Sequence, residues 1–357
     1  MRRALGRKSR ERFCDFVGSG SSSPTAPSIV SVAKIYGDGL GALRIAALLL
    51  DSATGRYVWA DRSEGNHRDL FVFQERTAER IAQSVEQSPR KAEIDRSCHK
   101  EPSLLNAWEL TMRALPPALS LEPAAEGMAL ELLEQAMELA PGDALPIALA
   151  AWCRGLRAGH HFTAKPETER MLARTLALRA AKIGTDDPLT ETFLASAYTL
   201  GHDLTTAAIH VERVLMLNGG SPWAWGRSGW IDAYNGNTEG AIERFQIARA
   251  LTPIDPLSFL CAIGIGAAHF EAARYEQAID WFKRGLAEHQ TAIWNHRFLV
   301  PAYMLAGYRD EASQCFAEFT LAYPDLTITD VRAGLPYSTS FLDRVAEGLE
   351  TAGLRVS

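Results

Sequence analysis

The chain has 357 residues, 47% of them hydrophobic and 22% charged, with a formal net charge of −6. That length suits about two domains, and the balance excludes wholesale disorder, a collagen-like repeat and a disulfide-stapled miniature. A mildly acidic chain offers no general attraction to phosphate backbones or anionic lipid, so neither nucleic acid nor a membrane surface is an expected partner. The cysteines, at 14, 98, 153, 261 and 315, are odd in number and form no C-x-x-C pair. This argues against a disulfide framework and a Cys-based zinc site, and for a reducing, cytoplasmic setting. The longest uncharged apolar run, 257–270, is interrupted by Gly264, Gly266 and His269 and falls short of the roughly 20 residues that span a bilayer.

In chain order, residues 1–28 join a basic stretch (Arg2, Arg3, Arg7, Lys8, Arg10, Arg12) to a Gly, Ser, Thr and Pro run, which reads as a disordered tail. It lacks the apolar core of a secretion signal. From 28 to 61, β-branched and aromatic runs flank the turn-forming residues 51–55, predicting a β-hairpin. Within it Gly37, Gly39 and Ala42 satisfy G-x-G-x-x-A, with Asp61 about 20 residues on. A dinucleotide fold, however, needs a crossover helix after the glycines, and the nine residues from Ala42 to Leu50 are too few for one. Residues 69–85 place Leu70, Phe73, Thr77, Ile81 and Val85 at helical spacing, with Asp69 as N-cap. The polar stretch after them reads as a linker.

Downstream of residue 120 a pattern repeats: Ala129/Leu133/Ala136, Ala173/Ala177/Ala180, Ala207/Val211/Val214, Ala241/Phe245/Ala248, Ala278/Phe282/Gly285 and Ala312/Phe316/Phe319. Positions i, i+4 and i+7 lie on one helical face. The first members are 44, 34, 34, 37 and 34 residues apart, and 34 is the tetratricopeptide repeat (TPR) period. Twelve residues after the first member stand Pro141, Pro253 and Pro324 as helix stops, with Thr185, Gly219 and Gln290 in the other three places. Pro116 and Pro117 interrupt the first unit, and an insertion over 157–166 lengthens the second. Small residues let neighbouring helices approach and the larger one fills the gap. The stretch 338–352, with Phe341, Leu342, Val345 and Leu349 on one face before Gly353, predicts a helix capping the array.

Two stretches extend this reading. LRIAALLLDSATGRYVWADRSEGNHRDLFVFQERTAERIA resembles the TolB-like segment that joins the output domain of bacterial adenylate/guanylate cyclase-like and winged-helix (CadC-like) regulators to a TPR sensor. PDLTITDVRAGLPYSTSFLDRVAEGLETAGL resembles the end of those TPR regions. The resemblance covers roughly residues 40 to 355. It implies the sensory or regulatory part of a signalling protein, and the alternative of a truncated regulator acting with a separately encoded output domain. Too few residues precede the TolB-like segment for a cyclase or winged helix, so no output activity is carried over.

The expected fold is mostly α: a TPR-like α-α superhelix with a small N-terminal α/β module. The expected plan is a tail over 1–28, a TolB-like module over 29–87, a linker over 88–102, repeats over 103–325 and a cap over 326–357. No GxxxxGK[ST], HExxH, nucleophile elbow or EF-hand loop occurs. His160-His161 lacks a third metal ligand at useful spacing and reads as solvated loop histidines. Cys98-His99 lacks a carboxylate or amide partner for nucleophilic chemistry. The expectation is therefore a non-enzymatic chain with no cofactor and no metal.

The resemblance further implies that the first helix of each unit lines a concave surface. Its positions here include Thr192, Ser196, Trp223, Trp230, Ile263, Phe270, Trp294 and Arg297, an aromatic and nearly uncharged set suited to a protein or peptide. On this reading those eight side chains are accessible contacts; the alternative is that Trp223 and Trp230 simply pack between neighbouring helices. The basic clamp that holds a terminal carboxylate in some TPR domains is absent apart from Arg297.

Overall fold

The computed structural model describes the backbone of residues 29–37, 42–51 and 57–66 and, in full, residues 90–252 and 255–357. The tail over 1–28, the helix over 69–85, Gly39 and turn residues 52–55 lie outside the described residues. The chain divides into two units, Met1–His99 and Lys100–Ser357.

In the first unit, β1 (Ile29–Gly37), β2 (Ala42–Asp51) and β3 (Tyr57–Asn66) form an antiparallel meander. Gly37 lies opposite Leu43, and a register shift between Leu49 and Leu50 marks the β2–β3 ladder. The segment after Gly37 thus returns as an antiparallel strand, with no crossover helix of the kind a dinucleotide fold requires. Residues 90–99, expected within a linker, form helix α1. The His99 Nδ1 donates to the Asp95 carbonyl at 2.6 Å, and Cys98 is exposed.

The second unit is built from helical pairs: α2 (Ala107–Leu119) with α3 (Pro123–Leu139), α4 (Ala144–Gly159) with α5 (Pro166–Ile183), α6 (Pro188–Leu200) with α7 (Leu204–Leu217), α8 (Pro222–Tyr234) with α9 (Thr238–Leu251), α10 (Ser258–Glu271) with α11 (Tyr275–Glu288), and α12 (His296–Ala306) with α13 (Arg309–Ala322). Side-chain caps start many of them. Asp187 accepts from Thr190 N at 2.9 Å, Asp203 from Thr206 N at 3.0 Å, and Asn106 forms a capping box with Glu109. The triplets fall on α3, α5, α7, α9, α11 and α13, and every member but Phe316 is buried. Each of these second helices ends two residues before the counted stop position, whether proline stands there or Thr, Gly or Gln. Packing register therefore ends them as well as proline does. Pro116 and Pro117 do not break α2; they occupy its last turn, where only their own N–H groups are lost.

The triplet logic is visible at Phe245. A Cβ placed on Gly229 of α8 would lie 2.8 Å from its ring, and one on Gly264 of α10 only 2.2 Å away. The ring is clamped between two backbones that approach because neither glycine has a side chain.

Two helices follow the pairs, α14 (Ile328–Gly334) and α15 (Thr339–Ala352), where a single cap was expected. Phe341, Val345 and Leu349 of α15 are buried, and Gly353 closes it at φ 110°. The segment does more than end the stack. Its partners are largely first helices: Leu335 touches Gly159 of α4, Tyr337 meets Tyr234 of α8 edge-on at 4.7 Å, and Phe341 meets Phe270 of α10 at 5.2 Å. Ser338 donates to Glu271 at 3.1 Å, Arg344 donates to the Glu271 carbonyl at 2.9 Å, and Arg170 donates to the Ala333 carbonyl at 2.8 Å. The C-terminal segment thus lies along the face formed by the first helices. The array also returns on itself, since His289 Nε2 donates to the Ser120 carbonyl at 2.8 Å and Arg297 Nη1 to the Gly159 carbonyl at 2.7 Å.

Candidate functional site

This packing separates the eight expected groove residues into two sets. Ile263, Phe270, Trp294 and Arg297 are buried in the protein's own interior and are not accessible contacts. Ile263 fits against Gly285 of α11, and Phe270 sits between Tyr275 and Phe341. Trp294 stacks on His160 with ring centroids 4.2 Å apart. Arg297, read as the remnant of a carboxylate clamp, donates Nη1 to Gly159 O and Nη2 to His160 Nδ1 at 2.9 Å, with its guanidinium over the rings of Trp294 and Phe298. It fastens α12 to α4, and burial lowers its pKa.

The histidine pair is corrected by the same arrangement. His160 is buried, not solvated, and burial, then the Arg297 charge, holds its pKa well below the ordinary imidazole value. Neutral imidazole is the form that can accept from a guanidinium. His161, in a left-handed backbone conformation at φ 61°, lies against Gly334, and burial followed by Arg297 brings its pKa down to about 3. The long 160–165 connection therefore serves as packing for the C-terminal segment.

The other four residues share one pocket, although Thr192, Ser196 and Trp230 are themselves buried and only Trp223 is partly exposed. Thr192 and Ser196 of α6, Trp223 and Trp230 of α8, Trp152 of α4, and Thr252, Asp255 and Cys261 beyond α9 line a cavity of about 50 Å³, and no residue of the C-terminal segment takes part. Its frame is tightly hydrogen-bonded: Thr192 Oγ1 donates to Pro188 O at 2.7 Å, Ser196 Oγ to Thr192 O at 2.8 Å, and Trp223 Nε1 to Asp255 Oδ2 at 2.8 Å. Trp230 packs edge-on to Phe245 at 5.3 Å, and Phe193 bridges Trp152 and Trp223 at 5.2 and 6.0 Å. These indoles have little freedom to reorganise, a property of preformed sites.

Several lining residues were missed in the sequence, Trp152, Thr252, Asp255 and Cys261 among them, and the most consequential is Arg227. Arg227 donates Nε to Ser196 Oγ at 3.0 Å, and burial lowers its pKa to about 10, leaving it a cation near neutrality. Counting i, i+3 and i+7 from Trp223 passes over i+4, although that position lies on the same helical face. Of the other charged groups in the wall, Arg249 is paired with Glu288 at 2.7 Å, and the Asp255 carboxylate accepts from the neutral Trp223 indole at 2.8 Å. Cys261, also in the wall, is pushed up to about 12 by burial, so its thiol stays protonated and a poor nucleophile.

No family model matches the sequence, and no curated protein matches it. Solved structures do. A monomeric mutant of IFIT1 with Gppp-AAAA is 14% identical, with 82% of this chain and 70% of that one covered, at a TM-score of 0.52. The fold is that of tetratricopeptide repeats. The APC/C hetero-tetramer Cut9-Hcn1 gives a TM-score of 0.49 at 15% identity over 73% of this chain; the chain spans 45% of that protein's length. PilW, a type IV pilus biogenesis factor, gives 0.41 at 17% identity, covering 57% of this chain and 90% of that one. Among the described residues, no helix is long and apolar enough to cross a membrane.

Proposed function

We propose that this chain is a non-catalytic TPR scaffold that docks a protein or peptide partner, with the pocket of α6, α8 and α10 as the point of engagement. One observation carries this reading: Ile263, Phe270, Trp294 and Arg297 are packed inside the protein against its own helices, loop histidines and C-terminal segment, whereas Thr192, Ser196, Trp223 and Trp230 line one cavity at which Trp223 is partly exposed. A rigid aromatic cavity with a few fixed polar groups is the form a hot-spot pocket takes. The absence of catalysis is supported by the lining itself, whose only thiol is held protonated and whose charged groups other than Arg227 are engaged. In this reading the strands of the first unit belong to a TolB-like α/β module, and the chain is the cytoplasmic sensory or regulatory part of a bacterial signalling protein. The motif resemblance supports that context.

The test is a random peptide-display selection against the full chain. Enriched peptides should lose binding at least about tenfold to the Trp223→Ala variant, as truncation of a hot-spot indole does, while circular dichroism stays unchanged. Trp223 is only partly buried, so its removal should spare the fold. Peptides that bind the variant as tightly as the unaltered protein would contradict the pocket assignment.

A further inference from the structure

Arg227 is a cation in an aromatic wall with no carboxylate partner among the described residues. Ser196 fixes its Nε, and no described protein group takes either Nη nitrogen. Two more polar atoms of the same pocket are unsatisfied: Trp152 Nε1 and Thr252 Oγ1 have no hydrogen-bond partner, although their residues are 1% and 9% exposed. Leaving buried donors and a desolvated charge unmatched is costly, and the cost is recovered when a complementary group arrives. Arg249 is paired with Glu288 and Asp255 accepts from the Trp223 indole, so Arg227 is the cation of this wall without an ionic partner among the described residues.

We propose that the pocket receives the carboxylate of an acidic side chain, Glu or Asp, presented by the docked peptide. This rests on the proposed function and names the chemistry its pocket selects. Arg227 supplies the fork of N–H donors that matches a carboxylate, and the indole N–H of Trp152 and the hydroxyl of Thr252 offer further donors. Size favours a side chain over other anions. About 50 Å³ admits the end of an unbranched chain; it is far below the roughly 300 Å³ at which drug-sized ligand pockets begin. A chain terminus would also have to seat the substituents of its Cα, and a phosphate group would bring more charge than one guanidinium balances.

The test uses small probes and the indole N–H resonance of Trp152, assigned with Trp152→Phe. N-acetyl-glutamic acid amide should shift that resonance saturably, and N-acetyl-glutamine amide should bind about tenfold more weakly or worse. Arg227→Gln should abolish the difference between the two, and Arg227→Lys should retain part of it. If Arg227→Gln fails to fold, the Glu/Gln comparison on the unaltered protein still decides. Equal shifts from both probes would overturn the proposal. Tighter binding of N-acetylglycine would overturn it in favour of a chain terminus, and tighter binding of inorganic phosphate in favour of a phosphorylated or nucleic-acid ligand. If no probe moves Trp152 while displayed peptides still depend on Trp223, the carboxylate assignment falls and the docking pocket stands; if the peptides do not depend on Trp223 either, both fall.

Discussion

Trp294→Ala is expected to lower the free energy of unfolding by about 3–5 kcal/mol, the cost of emptying a large aromatic site in a packed core. The indole is 2% exposed, lies 4.2 Å from the His160 ring between centroids and 6.4 Å from Phe259, and sits under the Arg297 guanidinium. Its Nε1 has no partner, so the loss is one of packing and of support for the Arg297 link between α12 and α4. Urea titration should show the midpoint falling with little change in slope. On the open-groove reading of the sequence the same substitution would expose no cavity, and the change would stay within about 0.5 kcal/mol. A loss of partner binding in this variant therefore reports on folding. Trp223 is the indole to change when docking is the question.

Stability should also fall steeply with acid, beginning below about pH 6.5. Burial lowers the pKa of His160, His161, His202, His269 and His296 in the folded protein. The unfolded chain binds protons at the ordinary imidazole value, so between that value and the folded one it holds more protons than the native state. The stabilisation from neutral histidines is thus complete above about pH 6.5 and is lost as pH falls below it through each folded-state pKa, that of His161 lying at about 3, with a slope of up to about 1.4 kcal/mol per pH unit for each fully shifted histidine. Glu126 acts in the opposite sense. Buried, with both oxygens unpartnered and its pKa raised by desolvation, it disfavours the folded state as pH rises above the ordinary carboxylate value. It is one group against five. His161→Asn keeps the left-handed backbone that Asn tolerates and should flatten the dependence between pH 6.5 and 4 by up to about 1.4 kcal/mol per pH unit. Unchanged pH dependence in this variant would show that His161 is solvated in the native protein.

What the sequence disclosed follows from where the information lies. The triplets on α3, α5, α7, α9, α11 and α13 are local periodicities, and burial of one helical face writes them directly into the residues. The N-cap at Ser338 and the glycine at 353 likewise announce the last helix from short-range chemistry. The position of that helix was not legible. An apolar stripe says that a face is covered without naming its cover, so Phe270 reads the same whether a partner or Phe341 packs on it, and Trp294 the same whether a partner or His160 does. His160 and Arg297 were misread for the same reason: their mutual contact spans 137 residues and exists only because the array returns on itself. Arg227 was missed by counting three where the helix also offers four.

The account turns on the C-terminal segment occupying the face of the first helices. A double-mutant cycle between Tyr234 of α8 and Tyr337, each changed to Leu singly and together and followed by urea unfolding, measures that contact across 103 positions of sequence. The edge-on pair should couple by about 0.5–1.5 kcal/mol. Strictly additive losses would mean that Tyr337 does not rest on α8 and that the face is open along its length.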